Sequence, residues 1–449
     1  MSTLEFRSYR NLDAPGLIQA LRDLARDGGA AEAPALDGAG GGARSWELAR
    51  NRRVEILWLE GESGASVSLS LDDGRRFPQK LSGEGLAQAL EAIGLDGPEA
   101  DVAPGEATLA ELEAALATLD IAARGGRRID AMLSGAGDDR LRGRGEADLM
   151  LGSAGGDDLF KGGEGRDRLS YLGGLDPLGE GLTVDLAAGR VEKAGGVDRL
   201  TGVEQLVLSD FADAVRGGER GGLALHLAGG DDRYEDARGT RSWVDGGEGD
   251  DRLRLGGGDD FGGGGAGADR LRGAAGEDHL RGGAGADRLG GGAGADRLEG
   301  DGGRDLLVGG GGADRLGGGR GDDVLSGGAG GDLLRGGPGA EAMFGGAGRD
   351  KLVGADGADR YDGGAGRDLL VFADRGGSRD VAVLREGDGR DVIRGFAAEE
   401  DRFALDGLGF DALSFVERRA GVEIRAGDEA LALVKGETAA TLDDAGLFL

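Results

Sequence analysis

An acidic residue recurs at every ninth position between Gly246 and Val371, and no other feature of the chain points so directly to chemistry. Counting in nines from Gly246 gives fourteen units without an insertion, and the sixth residue of each unit, here called slot six, is always acidic. Carboxylate oxygens suit calcium, which accepts about six to eight oxygen ligands, better than magnesium, which keeps its waters. The slot-six residues are Asp251, Asp260, Asp269, Asp278, Asp287, Asp296, Asp305, Asp314, Asp323, Asp332, Glu341, Asp350, Asp359 and Asp368.

The other constant positions of the unit predict the elements that hold these carboxylates. Slot eight is apolar in every unit except one, which has Gly262 there. Glycines in the first half of the unit allow the left-handed backbone angles of a tight turn. The residues around slot eight are expected to form a short strand with its middle side chain pointing inward. Since one unit cannot bury its apolar face alone, the units are expected to stack as a solenoid.

The repeated pattern GGxGxDxUx, with U an apolar residue, resembles the calcium-binding repeat of the RTX, or repeats-in-toxin, family. The resemblance implies a parallel β-roll with two units per coil. It also implies that each calcium ion lies between a loop and the equivalent loop one coil later, held by slot-six carboxylates and backbone carbonyls. The bridging pairs would lie eighteen residues apart, from Asp251 with Asp269 to Asp350 with Asp368. Fourteen units less two leave twelve such pairs.

A flexible glycine-rich linker, in which acidic residues only confer solubility, is the alternative interpretation of this array. The constant phase over 126 residues argues against it. Zinc is disfavoured because the chain has no Cys and only two His. Of the 126 residues, 46 are Gly, whose ordering is costly in conformational entropy. We therefore predict that the array is unfolded in chelator and folded in calcium.

A shorter array of four imperfect repeats is predicted at residues 134–170, with an added residue at Lys161. Residues 171–245 resemble the spacer of RTX arrays and are expected to continue the solenoid through degenerate repeats, with strands at 183–186 and 204–208. The main array covers residues 246–371. Calcium ligands are also expected in slot six of the short array, at Asp139, Asp148, Asp157 and Asp167.

Residues 372–449 are expected to form a β-rich cap of short antiparallel strands that closes the solenoid. Alternation of apolar and polar residues places these strands at 381–384, 403–405, 421–425 and 430–434.

The last residues of the chain resemble the tail of RTX proteins exported by type I secretion. Asp443 and Asp444 precede the apolar residues Leu447, Phe448 and Leu449. Residues 1–30 show no apolar run behind basic residues and so no Sec-type signal peptide, and no run of 18 apolar residues predicts a membrane span. The resemblance therefore implies a secreted protein, extracellular or associated with the cell surface, whose partners are the type I secretion machinery and an unknown extracellular ligand.

Residues 1–125 are expected to form a small α+β head of unknown function. Helices are predicted at 15–26, 85–93 and 108–123, and strands at 54–59 and 67–71. The expected fold of the chain is thus mainly β: a parallel β-roll, a calcium-binding solenoid, with a small α+β head and a β-rich C-terminal cap.

Catalytic motifs are sparse. The chain has neither HExxH nor GxSxG, which leans against an enzyme without deciding the question. A net charge of −31 argues against a nucleic-acid partner. A secreted calcium-binding protein with a structural or interaction role is therefore the favoured function. A secreted enzyme with an unrecognised head and a pore-forming RTX toxin remain as alternatives.

Slot seven is often arginine and is expected to place positive charge outside the strands, at Arg252, Arg270, Arg288, Arg297, Arg315 and Arg360.

Overall fold

The computed structural model describes the second half of the chain almost without a gap. The chain divides into two units, residues 1–215 with 223–226 and residues 216–222 with 227–449. Before residue 134 the structure describes seven strands. From there on it describes residues 134–172, 178–218, 223–236, 241–373 and 377–449.

Two parallel sheets form the main array in the second unit, and consecutive nine-residue repeats alternate between them. Arg252 pairs with Arg270 and Leu253 with Leu271, so one coil of the solenoid is eighteen residues, as the resemblance implied. We call the two layers the Trp243 sheet and the Arg252 sheet. The Trp243 sheet contains Trp243–Glu248, Phe261–Ala266, His279–Ala284, Arg297–Gly302, Arg315–Arg320, Leu333–Arg335, Lys351–Val353 and Leu369–Val371. The Arg252 sheet contains Arg233–Glu235, Arg252–Gly257, Arg270–Ala275, Arg288–Ala293, Leu306–Gly311, Val324–Gly330, Ala342–Gly348 and Arg360–Gly366.

The core of this unit lies between the two sheets. In each strand, slots seven and nine face outward, whereas slot eight and the following slot one face inward. The apolar slot-eight side chains are at most 3% exposed. The inward side chains of one coil pack against those of the neighbouring coils, so that each repeat is buried by other repeats. The slot-eight residues are Leu253, Leu271, Leu280, Leu289, Leu298, Leu307, Leu316, Leu325, Leu334, Met343, Leu352, Tyr361 and Leu370.

Gly262 stands in slot eight of the one repeat that has no apolar side chain there, and a neighbouring residue fills the missing volume. Leu255 replaces the usual slot-one glycine and is fully buried. A Cβ atom added at Gly262 would lie 2.8 Å from Leu255 Cδ1 and 3.2 Å from Leu280 Cδ2. Leu255 therefore fills the core volume that Gly262 leaves.

This compensation predicts a reciprocal effect of two substitutions on thermal stability in calcium. Leu255→Gly is expected to cost about 3 kcal/mol through the cavity it leaves, and Gly262→Leu about 1–3 kcal/mol through overpacking. The double variant restores the regular repeat and is expected to unfold close to the wild type, a large favourable coupling in a double-mutant cycle. Additive destabilisation of the double variant would show that the two residues do not share one volume.

The first unit stacks shorter parallel strands, and one hairpin interrupts them. Gly196–Thr201 lies parallel to Leu159–Lys161, and Gln205–Val207 lies parallel to Arg168–Ser170. The hairpin of Thr183–Asp185 and Arg190–Lys193 is antiparallel and joins the edge of Gly196–Thr201. The strands predicted at 183–186 and 204–208 are confirmed. The other short strands outside the head sheet and before residue 230 are Phe6–Arg7, Ala122–Arg124, Asp130–Leu133, Arg140–Arg142, Leu149–Leu151, Ala214–Arg216 and Ala224–Gly229, of which the last two extend into the second unit.

The C-terminal segment continues the coil before it closes it. Val381–Arg385 lies parallel to Arg402–Asp406, so the antiparallel pairing predicted for these two strands is wrong. The loops here are longer than in the array, so the sequence no longer shows a period of nine, although both strands still stack on the coil in parallel. The antiparallel prediction is confirmed for the last three strands, Leu413–Arg418, Gly421–Ala426 and Glu429–Lys435. Asp391–Arg394 lies parallel to both Leu369–Val371 and Glu429–Lys435.

The chain end packs against the end of the coil. Phe448 stacks on Phe403 with ring centroids 5.2 Å apart, and the Leu449 N–H donates to the Phe403 carbonyl at 2.8 Å. The Thr438 hydroxyl accepts from the Thr441 N–H and caps the short helix that precedes this tail. The helical elements of the segment are the α-helix Ala439–Leu442 and the 3-10 turns Phe410–Ala412 and Ala445–Leu447.

Four strands of the head form an antiparallel sheet. The predicted strands at 54–59 and 67–71 are confirmed as the hairpin of Arg52–Gly61 and Gly64–Asp72. Gly41–Leu48 and then Ala30–Glu32 follow on the other edge. The predicted helices at 15–26 and 85–93, and most of that at 108–123, lie outside the described residues. Residues 122 and 123 belong to the strand Ala122–Arg124, where the helix prediction is wrong.

Candidate metal centre

The glycines of each repeat turn the chain sharply at the edge of the coil. Gly247 and Gly249, in slots two and four, have φ angles of 112° and 129°, which glycine adopts without steric cost. A Cβ atom at Gly265, in the same slot two one coil later, would lie 2.0 Å from the Gly247 carbonyl oxygen. The loops of successive coils therefore stack closely at these glycines. Ala274 and Asp301, which carry side chains in slot two, also have positive φ angles, of 93° and 72°.

The slot-six carboxylates form two columns along these stacked loops, one for each sheet. In ten pairs within the array, the backbone N–H of a slot-six aspartate donates to Oδ1 of the aspartate eighteen residues later, at 2.8 to 2.9 Å. The Glu341 N–H donates in the same way to Asp359 Oδ1 at 3.0 Å. Asp251 is linked in this way to Asp269, and Asp260 to Asp278. The structure thus links eleven of the twelve pairs that the resemblance implied. Asp323 is not linked in this way to Glu341, whose two carboxylate oxygens are buried without a hydrogen-bond partner.

The second carboxylate oxygen of these residues is buried without a hydrogen-bond partner. In Asp251 this atom, Oδ2, faces the slot-one glycine: a Cβ atom at Gly246 would lie 2.1 Å from it and 2.5 Å from the Gly264 carbonyl oxygen. A buried anionic oxygen without a donor is costly. The residues with such an oxygen are Asp167, Asp251, Asp260, Asp269, Asp278, Asp287, Asp296, Asp305, Asp314, Asp323, Asp332, Glu341, Asp350 and Asp368.

Burial shifts the acidity of these groups in a consistent direction. Desolvation raises the pKa of Asp251 and Asp260 to about 7 and that of Asp269 and Asp278 to about 6, from an ordinary value of 3.8. Neighbouring carboxylates add to the effect at Asp251, Asp260 and Asp278. The buried carboxylates of a column are therefore stable only when they are protonated or when a cation neutralises their charge.

Oxygen atoms fit this cation best. At Gly246 and Gly264 an added Cβ atom would lie within 2.7 Å of both a slot-six Oδ2 and a carbonyl oxygen of a glycine loop. A hard cation such as calcium takes a mixture of carboxylate and carbonyl ligands. Among the described residues, no three side chains of His, Cys, Asp or Glu converge on one point. The donor set fits calcium: one or two carboxylates supplemented by backbone carbonyls.

Fold and site together define a calcium-binding parallel β-solenoid. The model of the RTX calcium-binding nonapeptide repeat matches the chain at residues 124–159, 154–176, 240–262, 263–298, 299–334 and 335–370. The repeats of this chain are therefore those of the RTX family, which binds calcium at multiple sites. No curated protein matches the chain.

The short array differs from its predicted register by one residue. Asp157 is exposed, whereas Asp158 is buried and accepts from the Asp139 N–H through Oδ1 at 2.9 Å. Phe160 rather than Leu159 fills the core position, aligned with Leu141. The added residue thus precedes Asp158 and is not Lys161, and the assignment of Asp157 to slot six is wrong.

Asp139, Asp148 and Asp167 occupy slot six as predicted, but two of them have their second oxygen satisfied. Oδ2 of Asp139 accepts from the Gly135 N–H at 2.5 Å, and Oδ2 of Asp148 from the Arg144 N–H at 3.2 Å. Asp167 matches the main array, with a buried Oδ2 that has no partner. The demand for a cation is therefore greatest at Asp167 within the short array.

The carboxylate columns also extend to residues that counting in nines missed. The Asp359 N–H donates to Asp380 Oδ1 and the Asp380 N–H to Asp401 Oδ1, and Asp368 is linked in the same way to Asp391. Loops of unequal length break the period of nine here. The local signature Asp-x-apolar persists, as in Asp401 followed by buried Phe403, and would have found them.

Proposed function

We propose that this chain is a secreted calcium-binding protein whose coil folds when it meets calcium outside the cell, where it has a structural or interaction role. The observation that carries the proposal is the pair of columns of buried slot-six carboxylates, of which thirteen of the fourteen in the main array have an oxygen that lacks a donor. An ion between successive loops would neutralise these carboxylates and hold neighbouring coils together. Low cytosolic calcium would keep the chain unfolded for export.

The proposed ligands are the fourteen slot-six residues from Asp251 to Asp368, together with Asp139, Asp148 and Asp167. Glycine-loop carbonyls of the same coils complete each site. In this division of labour, residues 1–125 form the specificity head, residues 134–371 the coil with its spacer, and residues 372–449 the cap and export signal. An extracellular ligand of the head would then define the biological role.

Export by the type I machinery is the proposed route to the outside. Its support is the acidic-then-apolar tail, in which Asp443 and Asp444 precede Leu447 and Phe448. Among the described residues, no helix is long and apolar enough to cross a membrane. Fusion of residues 372–449 to an unrelated cargo tests the route: cargo export that depends on a type I exporter supports it, and retention in the cell counts against it.

Hydrogen exchange on the full chain, in chelator and in millimolar calcium, tests the calcium-folding mechanism. Residues 246–371 are expected to exchange freely in chelator and to become protected in calcium, because the ionised carboxylates then gain a counter-ion. Magnesium at the same concentration is the control and is expected to protect poorly. Full protection of the array in chelator would contradict the mechanism.

A further inference from the structure

One pair of slot-six carboxylates already holds a cation that belongs to the chain. Lys193 is the last residue of the hairpin strand Arg190–Lys193, and its side chain is completely buried. Its Nζ lies 2.9 Å from Asp158 Oδ2 and 2.8 Å from Asp198 Oδ1. Asp158 and Asp198 are successive members of one column, because the Asp158 N–H donates to Asp198 Oδ1 at 3.0 Å.

Lys193 stands five residues before Asp198 and therefore in slot one. In every repeat of the main array except that of Leu255 this slot is a glycine, and Gly246, for example, faces Oδ2 of the slot-six Asp251. The residues that follow Asp198 also keep the repeat, since Leu200, two residues later, aligns with Phe160 in the neighbouring strand. The ammonium group of a lysine in slot one thus lies beside the carboxylates that a bound ion would otherwise neutralise.

Every carboxylate oxygen of this pair has a donor, in contrast to the main array. Asp158 Oδ1 accepts from the Asp139 N–H at 2.9 Å, and Asp198 Oδ2 accepts from the Tyr171 hydroxyl at 2.6 Å. The Lys193 ammonium donates to the remaining oxygen of Asp158, Oδ2, and is the second donor to Asp198 Oδ1. A buried charge group of this kind is stable only when all its members are paired.

We propose that the Lys193 ammonium replaces calcium between Asp158 and Asp198, so that this coil forms without calcium. The residues here do not fit a calcium ion, because the cation position is taken and both carboxylates are satisfied. A coil that is already folded offers a template on which the next coils can stack as calcium arrives, since a solenoid propagates from neighbour to neighbour. This last consequence rests on the proposed function.

Hydrogen exchange on the full chain with three variants tests the proposal. In the wild type, residues 158–201 are expected to be protected in both chelator and calcium. Lys193→Gly restores the slot-one glycine and is expected to lose this protection in chelator and to regain it in calcium. Lys193→Met fills the same volume without charge and is expected to lose protection under both conditions. Arg190→Gly, a charge removal on the exposed side of the same strand, is the matched control and should behave as the wild type.

Three outcomes would overturn the proposal: an unprotected wild-type segment in chelator, a Lys193→Gly segment that stays protected in chelator, or one that calcium does not restore. The same data report separately on residues 246–371. If calcium does not protect residues 246–371 from hydrogen exchange, the proposed function is wrong, whereas the role assigned to Lys193 is unaffected.

A second, independent inference concerns the outer face of the Arg252 sheet. Parallel pairing places Arg252, Arg270 and Arg288 in one column of slot-seven residues, and Arg254 beside Arg272 in a column of slot-nine residues. All five side chains are exposed. We call these five residues the arginine face.

The fold does not require this concentration of charge. Like charges aligned on neighbouring strands repel one another, and slot seven of the next three strands holds Leu306, Val324 and Ala342 instead. Among the described residues, only Arg254 of the arginine face has an ion-pair partner, Glu235 at 3.7 Å. An anionic partner would therefore meet guanidinium groups that the chain leaves to solvent.

We infer that the arginine face binds an extended acidic polysaccharide that runs along the coil axis. The columns repeat at the strand spacing of about 4.8 Å, so that an extended anionic chain along the coil axis would meet successive guanidinium groups. Guanidinium groups bind carboxylates in a bidentate manner. Nucleic acid suits the face less well because it offers no aromatic ring on which a base could stack. This inference gives the proposed interaction role a partner class.

Binding of a short labelled oligogalacturonate to the full chain in calcium tests the second inference. The triple variant Arg252→Ser/Arg270→Ser/Arg288→Ser is expected to bind on the order of tenfold more weakly. Arg297→Ser/Arg315→Ser removes slot-seven arginines from the opposite sheet and is expected to bind as the wild type. A neutral dextran oligomer, an oligodeoxynucleotide and phosphatidylglycerol vesicles serve as competitors.

Equal losses in both variants, or tighter binding of any competitor than of oligogalacturonate, would overturn this assignment. Calcium-dependent folding is recorded on the same samples by circular dichroism. A chain that folds with calcium but ignores oligogalacturonate retains the proposed function and loses only this partner.

Discussion

In calcium-free solution, the chain is expected to gain β-structure as the pH falls from about 8 to about 5.5. Burial raises the pKa of Asp251 to about 7 and that of Asp269 and Asp287 to about 6, against an ordinary value of 3.8. The folded coil therefore binds protons more tightly than the unfolded chain. The stability this contributes is fully present below the ordinary value and is lost as the pH rises through the raised values.

Calcium reverses this pH dependence, because protons and the ion compete for the same carboxylates. The calcium concentration needed for folding is expected to rise steeply as the pH falls below about 7, the raised pKa of Asp251. Circular dichroism across pH, with and without chelator, measures both trends. Staying above the isoelectric point of about 4.5 limits precipitation. A calcium-free chain that loses structure on mild acidification would show that these carboxylates are not buried in the folded coil.

Substituting one slot-six residue is expected to change stability in opposite directions with and without calcium. Asp278→Asn keeps an oxygen for the Asp260 N–H, now held at 2.9 Å by Oδ1, and removes a buried charge. In chelator above pH 7 the variant coil is therefore expected to be more stable than the wild type. In calcium it loses an anionic ligand, so the calcium midpoint of folding is expected to rise on the order of tenfold.

The adjacent Glu277 provides the matched control for this crossover. Glu277→Gln removes the same charge from an exposed slot-five side chain and is expected to shift neither quantity appreciably. Thermal unfolding in chelator and calcium titration of folding distinguish the two variants. Equal behaviour of Asp278→Asn and Glu277→Gln would show that slot six has no special part in ion binding.

Sequence counting predicted the main array well because its information is local. Slot six, slot eight and the glycine turns recur within nine residues, and the structure confirms the parallel strands and the inward slot-eight side chains. The coil of eighteen residues was implied by the family resemblance and not by the count, and the structure confirms it as well. The strands of the head hairpin were also predicted, since alternating apolar residues such as Val67 and Leu69 mark a strand without reference to distant neighbours.

Prediction failed where the length of a loop changed. One added residue before Asp158 moved the buried carboxylate from the predicted Asp157, and longer loops hid Asp380 and Asp401. In each case the stacking of one coil on the next selects the residue that is buried, and a count along the chain cannot register that choice.

By itself, then, the sequence determined the repeat, its period and the oxygen ligands that it offers, because these depend on residues close together in the chain. Only the tertiary structure decided which distant residues share a face or a site. The slot-seven arginines read as one series along the chain, yet alternation between sheets gathers Arg252, Arg270 and Arg288 on one face and sends Arg297 to the other. Lys193 reads as a spacer residue, and only the stacking of its coil places its ammonium between Asp158 and Asp198.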